Sequence, residues 1–302
     1  TGIKVKHDII QEGDVVEKLQ TQMQTGENIY DGYVNDSDLI GTHWRYQQAR
    51  SLTDWMEGEG KDFTNPGLDL DDYLGLKFTT APDGDLYQLP DQQFANLYWF
   101  RYDWFNDQKT KDDFKAKYGY DLAPPKTYDE LKQVAEFFQG REIDGKKVYG
   151  AYIFTERGSE GITMGVTNVL YNYGFAYDNP KKPYQMQGIV NSADAAKGLE
   201  FYKELYKCCT APGMTNAYMQ EGLDAFKSGQ VAMQMNWFAF FPGLYKDPNV
   251  GGDKIGFFVN PAGPKGHFTQ LGGQGRGGEG VVGALAGGGK GRVDIVDTDR
   301  LR

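Results

Sequence analysis

Gly273, Gly275 and Gly278 satisfy the GxGxxG spacing of a phosphate-cradling loop, and Lys290 follows three glycines in the stretch FTQLGGQGRGGEGVVGALAGGGKGR. Such spacing acts on a phosphate when it leaves a strand and opens a helix, so that backbone N–H groups converge on the anion. Asp294 and Asp297 lie near the distance of a ribose-binding acid. However, six of the twelve residues from Gly280 to Gly291 are glycine, each costing about 1 kcal/mol against alanine in a helix. The Walker pattern fails as well: Ala284 stands where its first glycine belongs, and Gly291 replaces the Ser or Thr that would hold Mg²⁺. A nucleotide-binding role rests on spacing alone.

Paired carboxylates are the second chemistry to weigh. A glycosidase needs two of them about 5 to 10 Å apart, and Asp36 and Asp91 are the nominees, although no spacing sets them apart from the other acids. His7, His43 and His267 form no metal or triad spacing with their neighbours. The expectation is therefore no catalytic residue, no metal and no cofactor. Cys208 and Cys209 are adjacent, and a bond between neighbours would close a strained ring, so they match neither a standard disulfide nor a CxxC motif. Two buried thiols are the plain reading; pairing with a cysteine that this chain lacks is the alternative.

Composition narrows the partner. Lys plus Arg number 32 against 42 Asp plus Glu in 302 residues, a net charge of −10, which argues against broad contact with nucleic acid or anionic lipid. No apolar run approaches the roughly 18 residues of a membrane span. The opening TGIKVKHDII lacks the regions of a signal peptide, and a bare start at Thr1 suggests a processed or truncated N-terminus. The 20 Tyr, 18 Phe and 5 Trp exceed what the core needs, and many sit beside polar residues. Flat apolar faces mixed with hydrogen-bonding groups suit a carbohydrate or polyol.

These groups need elements to hold them, and the pattern alternates strand and helix. IKVKHDII reads as a strand, GDVVEKLQTQMQTG as a helix closed by Gly26, and IYDGYVND as a strand leading to the polar cluster Asn35 to Asp38. That is the βαβ start of an open parallel sheet, in which ligands collect at the carboxyl ends of strands. Asp36 or Ser37 could equally cap the next helix. A turn at Asp83 and Gly84, a short strand and a break from Pro90 to Gln93 precede the apolar run Phe94 to Phe105. TYDELKQVAEFFQG is an amphipathic helix with Thr127 as N-cap and Glu130 as its capping-box partner. VYGAYIF reads as a buried strand, Ile162 to Tyr173 as a helix, and NSADAAKGLEFYKELYK as another, started by Asn191 or Ser192. GLDAFKSGQVAMQMNWFAFF combines a helix ending near Gly229 with a strand that delivers Asn236, Trp237 and Phe238 to its far end. DKIGFFVNPAGP is a strand and a turn.

From Thr1 to Gly275 the chain resembles the extracellular solute-binding proteins of bacterial ABC importers for carbohydrates and polyols. The likeness rests on ordered stretches: YDGYVNDSDLIG, LYQLPDQQFANLYWFRYDWF, PPKTYDELKQVAEFF, VNSADAAKGLEFYKELY, GLDAFKSGQVAMQMNWFAFF and KIGFFVNPAGPKGHFTQLGGQG. Its first quarter is most similar to the glycerol- and polyol-binding branch. The resemblance implies an α/β, two-lobe periplasmic-binding-protein fold with a hinge and an interlobe ligand cleft, incomplete at both termini. Lobe I would comprise residues 1–94 and 259–275, and lobe II residues 95–258. It further implies a periplasmic monomer that passes a small neutral sugar or polyol to membrane permease subunits, with no nucleic acid involved and the ATPase on another subunit.

By family position Asp36, Ser37, Asp91, Gln92 and Gln93 would face the ligand from lobe I, Arg157 and Trp237 from lobe II, and Gly272, Gly273 and Gln274 from the returning segment. Trp237 offers a flat face, Asp36, Gln92 and Gln274 offer directional bonds to hydroxyls, and Arg157 adds a forked donor. Trp237 could instead be a core residue beside Phe238, Phe240 and Phe241, Arg157 a solvated loop charge, and Gln92 and Gln93 hinge residues. Residues 276–302 depart from the family pattern and read as an aberrant or disordered glycine-rich tail, with a genuine flexible linker as the alternative.

Overall fold

The structure, a computed structural model, describes residues 2–10, 12–27, 29–34, 40–73, 76–90, 94–157, 159–177, 179, 181–182, 185–267 and 271–272. They fall into two compact units, one within residues 1–93 and one within 94–272. The second unit thus includes 259–272, which the resemblance assigns to lobe I.

In the first unit α1 (Glu12–Thr25) ends at Gly26, whose φ of +70° is open to glycine at little cost and whose N–H returns to the Gln22 carbonyl at 3.0 Å. Short helices follow: α2 (Ile40–Arg45), α3 (Leu52–Glu57) and α4 (Leu76–Thr79). Ser51 caps α3 by accepting the Asp54 N–H at 2.9 Å, and its hydroxyl donates to Asp85 Oδ2 at 2.9 Å. The Leu52 N–H donates to the Leu86 carbonyl at 2.7 Å, so the turn at Asp83 and Gly84 is pinned to the start of α3.

The strands expected at Ile3–Ile10 and Ile29–Asp36 do not form among the described residues, and with them goes the βαβ start. Ile3, Val5, Ile9, Ile29 and Val34 are exposed. Alternation supplies a side-chain pattern, but a strand also needs a neighbour to take its N–H and C=O groups, and among the described residues none pairs with these segments.

The second unit is built on a sheet. β1 (Phe94–Arg101) runs into α5 (Tyr102–Asn106), α6 (Gln108–Tyr118) and α7 (Tyr128–Phe138). A small hairpin, β2 (Glu142–Ile143) with β3 (Lys146–Lys147), leads to β4 (Tyr149–Tyr152), α8 (Ser159–Asn172) and α9 (Ala193–Cys209). Then come α10 (Met219–Lys227), β5 (Val231–Trp237), α11 (Phe241–Tyr245), β6 (Ile255–Phe258) and β7 (Leu271–Gly272). The strand order is β4-β5-β1-β6, with β7 on the first residues of β1.

The sheet is mixed, not the open parallel sheet expected. Among the described strands of this sheet only β4 and β5 run parallel, while β1 is antiparallel to β5, β6 and β7. Helices α8, α9 and α10 supply the crossover that parallel pairing of β4 and β5 requires. On β1, Asn96, Tyr98 and Phe100 pair with Trp237, Met235 and Met233 on one face; Leu97 and Trp99 pair with Asn236 and Gln234 on the other. The first face joins Leu131, Val134 and Phe138 of α7 and Leu205 of α9 in one core; Trp99 joins Tyr152, Phe154, Leu223 and Phe226 in a second. Each such buried side chain contributes about 1.5–3 kcal/mol.

Local signals place the helices. Thr127 Oγ1 accepts the Glu130 N–H at 3.2 Å, while the Glu130 carboxylate reaches back to the Lys126 N–H at 2.7 Å, one residue before the cap. Of the two starts considered for α9, Ser192 is the cap, accepting the Ala195 N–H at 3.1 Å. Helix α8 begins at Ser159, earlier than the expected Ile162. Gly150 lets β4 lie against α7: a Cβ there would sit 2.0 Å from the Ala135 carbonyl oxygen.

The cysteines require a correction. Cys208 and Cys209 are bonded to each other, with Cα atoms 3.7 Å apart and no free thiol. Helix α9 stops at Cys209, so the small ring closes where the helical backbone is released. Cys209 is fully buried, as a small apolar residue would be.

Candidate functional site: one edge of the sheet

Because β4 and β5 are parallel, both carboxyl ends leave the sheet at one edge, and the antiparallel pairings put the start of β1 and the end of β6 at that edge too. β7 closes on it through Phe94↔Gly272 and Ala95↔Leu271. The edge therefore gathers Trp237, Asn96, Gly272, the segment Thr155 to Arg157 after β4, and Asn260 after β6.

Trp237 is 2% exposed and stands across from Asn96. Its backbone N–H donates to Asn236 Oδ1 at 2.9 Å, and Asn236 Nδ2 donates to the Met219 carbonyl at 3.1 Å, which ties the end of β5 to the first turn of α10. On the opposite face Trp99 stacks on Phe238 at 5.8 Å and on Phe241 at 6.1 Å. Offset rings of this kind add to burial and hold the chain leaving Trp237 in place.

Arg157 is exposed, on a loop that is braced through its backbone. Its N–H donates to Asn216 Oδ1 at 3.0 Å, the Thr155 and Glu156 N–H groups donate to the Ala217 carbonyl at 2.9 and 3.0 Å, and the Thr155 hydroxyl donates to the Met214 carbonyl at 2.7 Å. A fixed loop with a free guanidinium end can aim a forked donor without ordering the backbone first.

The buried polar groups at this edge are neutral. Asn96, Gln234, Asn236 and Asn260 are fully buried, and Asn168 of α8 nearly so. Burial raises the Tyr98, Tyr128 and Tyr202 phenols well above their ordinary range, so they remain protonated. Tyr202 donates to the Phe154 carbonyl at 2.6 Å. Amides and phenols that both donate and accept match uncharged hydroxyls rather than ions.

Of the residues singled out in sequence, Arg157, Trp237 and Gly272 come to this edge. Asp36, Ser37, Asp91, Gln92, Gln93, Gly273 and Gln274 lie outside the described residues, as do Gly275, Gly278, Lys290, Asp294 and Asp297. Asp91 to Gln93 directly precede β1 in the chain, and Gly273 follows β7. His43 is buried edge-on to Tyr33, with ring centres 6.1 Å apart, whereas His7 and His267 are exposed. Among the described residues no group of His, Cys, Asp and Glu could hold a metal ion, and no helix is long and apolar enough to cross a membrane. Asn96 and Asn260 escaped sequence reading; the available signal was an amide inside the apolar run FANLYWFR.

Comparison with known proteins places this arrangement. The family model for bacterial extracellular solute-binding proteins matches residues 1–284, running on past Gly275. A probable ABC transporter-binding protein of Deinococcus radiodurans is 28% identical over 168 residues, which cover 54% of this chain and 39% of the relative. Among solved structures, a solute-binding protein of Agrobacterium radiobacter K84 in complex with ribitol superposes with a TM-score of 0.67 at 23% identity, covering 88% of this chain and 61% of that one. One from Agrobacterium vitis S4 with bound D-mannitol gives 0.65 at 22%, covering 89% and 60%. One from Thermotoga lettingae with α-D-tagatose gives 0.61 at 20%, covering 86% and 61%. The chain thus spans about three-fifths of the length of these structures and two-fifths of the curated relative, and the structural likeness establishes the periplasmic-binding-protein fold. With the family match extending over nearly its whole length, the chain belongs to the bacterial extracellular solute-binding proteins.

Proposed function

We propose that this chain captures a small neutral sugar or polyol and presents it to the permease of a bacterial ABC importer, acting in the periplasm as a monomer and without turning its ligand over. The observation that carries the reading is Trp237 at a sheet edge among neutral amides, beside the braced loop of Arg157. An indole face takes the C–H face of a sugar or alditol, and amides take its hydroxyls. The proposed ligand set is Trp237, Arg157 and Gly272 together with Asp36, Ser37, Asp91, Gln92, Gln93, Gly273 and Gln274. Ribitol, D-mannitol and tagatose in the similar structures support the substrate class.

Calorimetric titration with ribitol, D-mannitol, D-tagatose, glycerol and maltose tests it. Saturable heat with at least one of these, lost in Trp237→Ala, is the expected result. No heat with any of them removes the substrate class, and turnover of chromogenic glycosides would replace binding with catalysis.

A further inference from the structure

Four buried polar atoms without a partner belong to Asn96 and Tyr98, on the sheet face that carries Trp237, and to Asn260, two residues past β6. Asn96 is fully buried, and neither its Oδ1 nor its Nδ2 has a hydrogen-bond partner. Tyr98, two residues on and on the same face, is fully buried with its hydroxyl unpartnered. Asn260 is fully buried too: its Nδ2 donates to Asn168 Oδ1 at 3.1 Å, but its own Oδ1 accepts nothing. The β1–β6 pairing runs up to Tyr98↔Phe258, and Asn260 follows Phe258 by two residues. Trp237 flanks Asn96 from β5.

A native interior satisfies its buried polar groups, and where protein partners are lacking a small guest completes them. The chemistry here defines that guest. Asn96 offers a donor and an acceptor, Asn260 an acceptor, and Tyr98 both. None of these side chains is charged, so an ion would stay uncompensated. We infer that Asn96, Tyr98 and Asn260 form a buried hydroxyl-binding pocket beside Trp237. The hydroxyl belongs to an ordered water or to a ligand bound at this edge of the sheet. The ligand source rests on the function proposed above; the water source does not.

Asn96→Leu, close in volume and without polar atoms, tests the pocket, with Asn96→Ser as its companion. For a water, the Leu variant without ligand melts below the wild type and below Asn96→Ser, because Ser keeps a hydroxyl and makes room for a second water. For a ligand hydroxyl, the melting temperature of the free Leu variant matches the wild type while affinity for ribitol or D-mannitol falls about ten-fold or more. A dry, packed site reverses the order, with Ser melting lowest because it leaves a cavity. That order with wild-type affinity retained, or a Leu variant equal to the wild type in both measurements, overturns the inference. Should the Leu variant not fold, a high-resolution crystal structure of the wild type decides: density within hydrogen-bond distance of the Asn96 amide supports the pocket, and an empty site removes it. A wild type that binds no polyol sinks the proposed function, while the melting order and the density still judge the pocket.

Discussion

Asn96 on β1 and Trp237 on β5 face each other across an antiparallel pair, an amide opposite an indole at the edge where the sheet's parallel strands end. Each side chain therefore constrains the other, and a change at Trp237 acts on packing and binding together.

Trp237→Ala is expected to lower stability by about 3–5 kcal/mol, the usual cost of emptying a buried aromatic site, and to abolish polyol binding. Trp237→Phe keeps a flat face, so it loses less of both. Thermal melts read alongside calorimetry check this: an Ala variant as stable as the wild type would mean that the indole is not held in the core.

Gly150→Ala would push a methyl into the Ala135 carbonyl, which belongs to backbone and cannot swing aside. Overpacking of this kind costs about 1–3 kcal/mol or more. Gly243→Ala, with open space at the same test, is the matched control and should melt close to the wild type.

Stability should fall at both ends of the pH scale. The Thr110 N–H, donated to Asp107, and the ion pair of Lys132 with Glu204 hold these carboxyls below their ordinary values. Their contribution is present above the ordinary carboxylate range, about pH 4, and is lost as pH falls through the lower folded values. At the other end, the Tyr98, Tyr128 and Tyr202 phenols are raised by burial, so the unfolded chain releases these protons first, and stability drops as pH climbs past about 10. Melts across pH, with tyrosinate absorbance followed alongside, should show these phenols ionising only as the chain unfolds.

The Cys208–Cys209 bond predicts that a thiol reagent finds no free sulfhydryl in the unreduced chain, folded or unfolded. Reduction should expose two and shift the melting temperature little, since a bond between neighbours closes almost no loop. A thiol titre of two before reduction contradicts the bond.

Helix α7 was readable residue by residue, because a cap at Thr127 and an apolar stripe through Leu131, Val134 and Phe138 are local properties. Trp237 at a strand end was readable for the same reason. The false strands at Ile3 and Ile29 show the converse: their alternation is real, but pairing depends on a partner elsewhere in the chain. The parallel sheet failed in the same way, since strand direction is decided by which segments meet. Asn96 acquires meaning only through a register that sets it beside Trp237, and Asn260 only through its bond to Asn168 of α8, and no window of sequence contains those pairings.

β1 is the strand on which β5, β6 and β7 all close, yet it is the first of them to be made. During synthesis Tyr98, Trp99 and Phe100 must wait, unpaired, until the chain has grown past Val231. Pairings this distant in sequence form slowly and leave apolar edges open to wrong partners. The growing chain thus carries an apolar strand ahead of its partners, the kind of segment that chaperones shield.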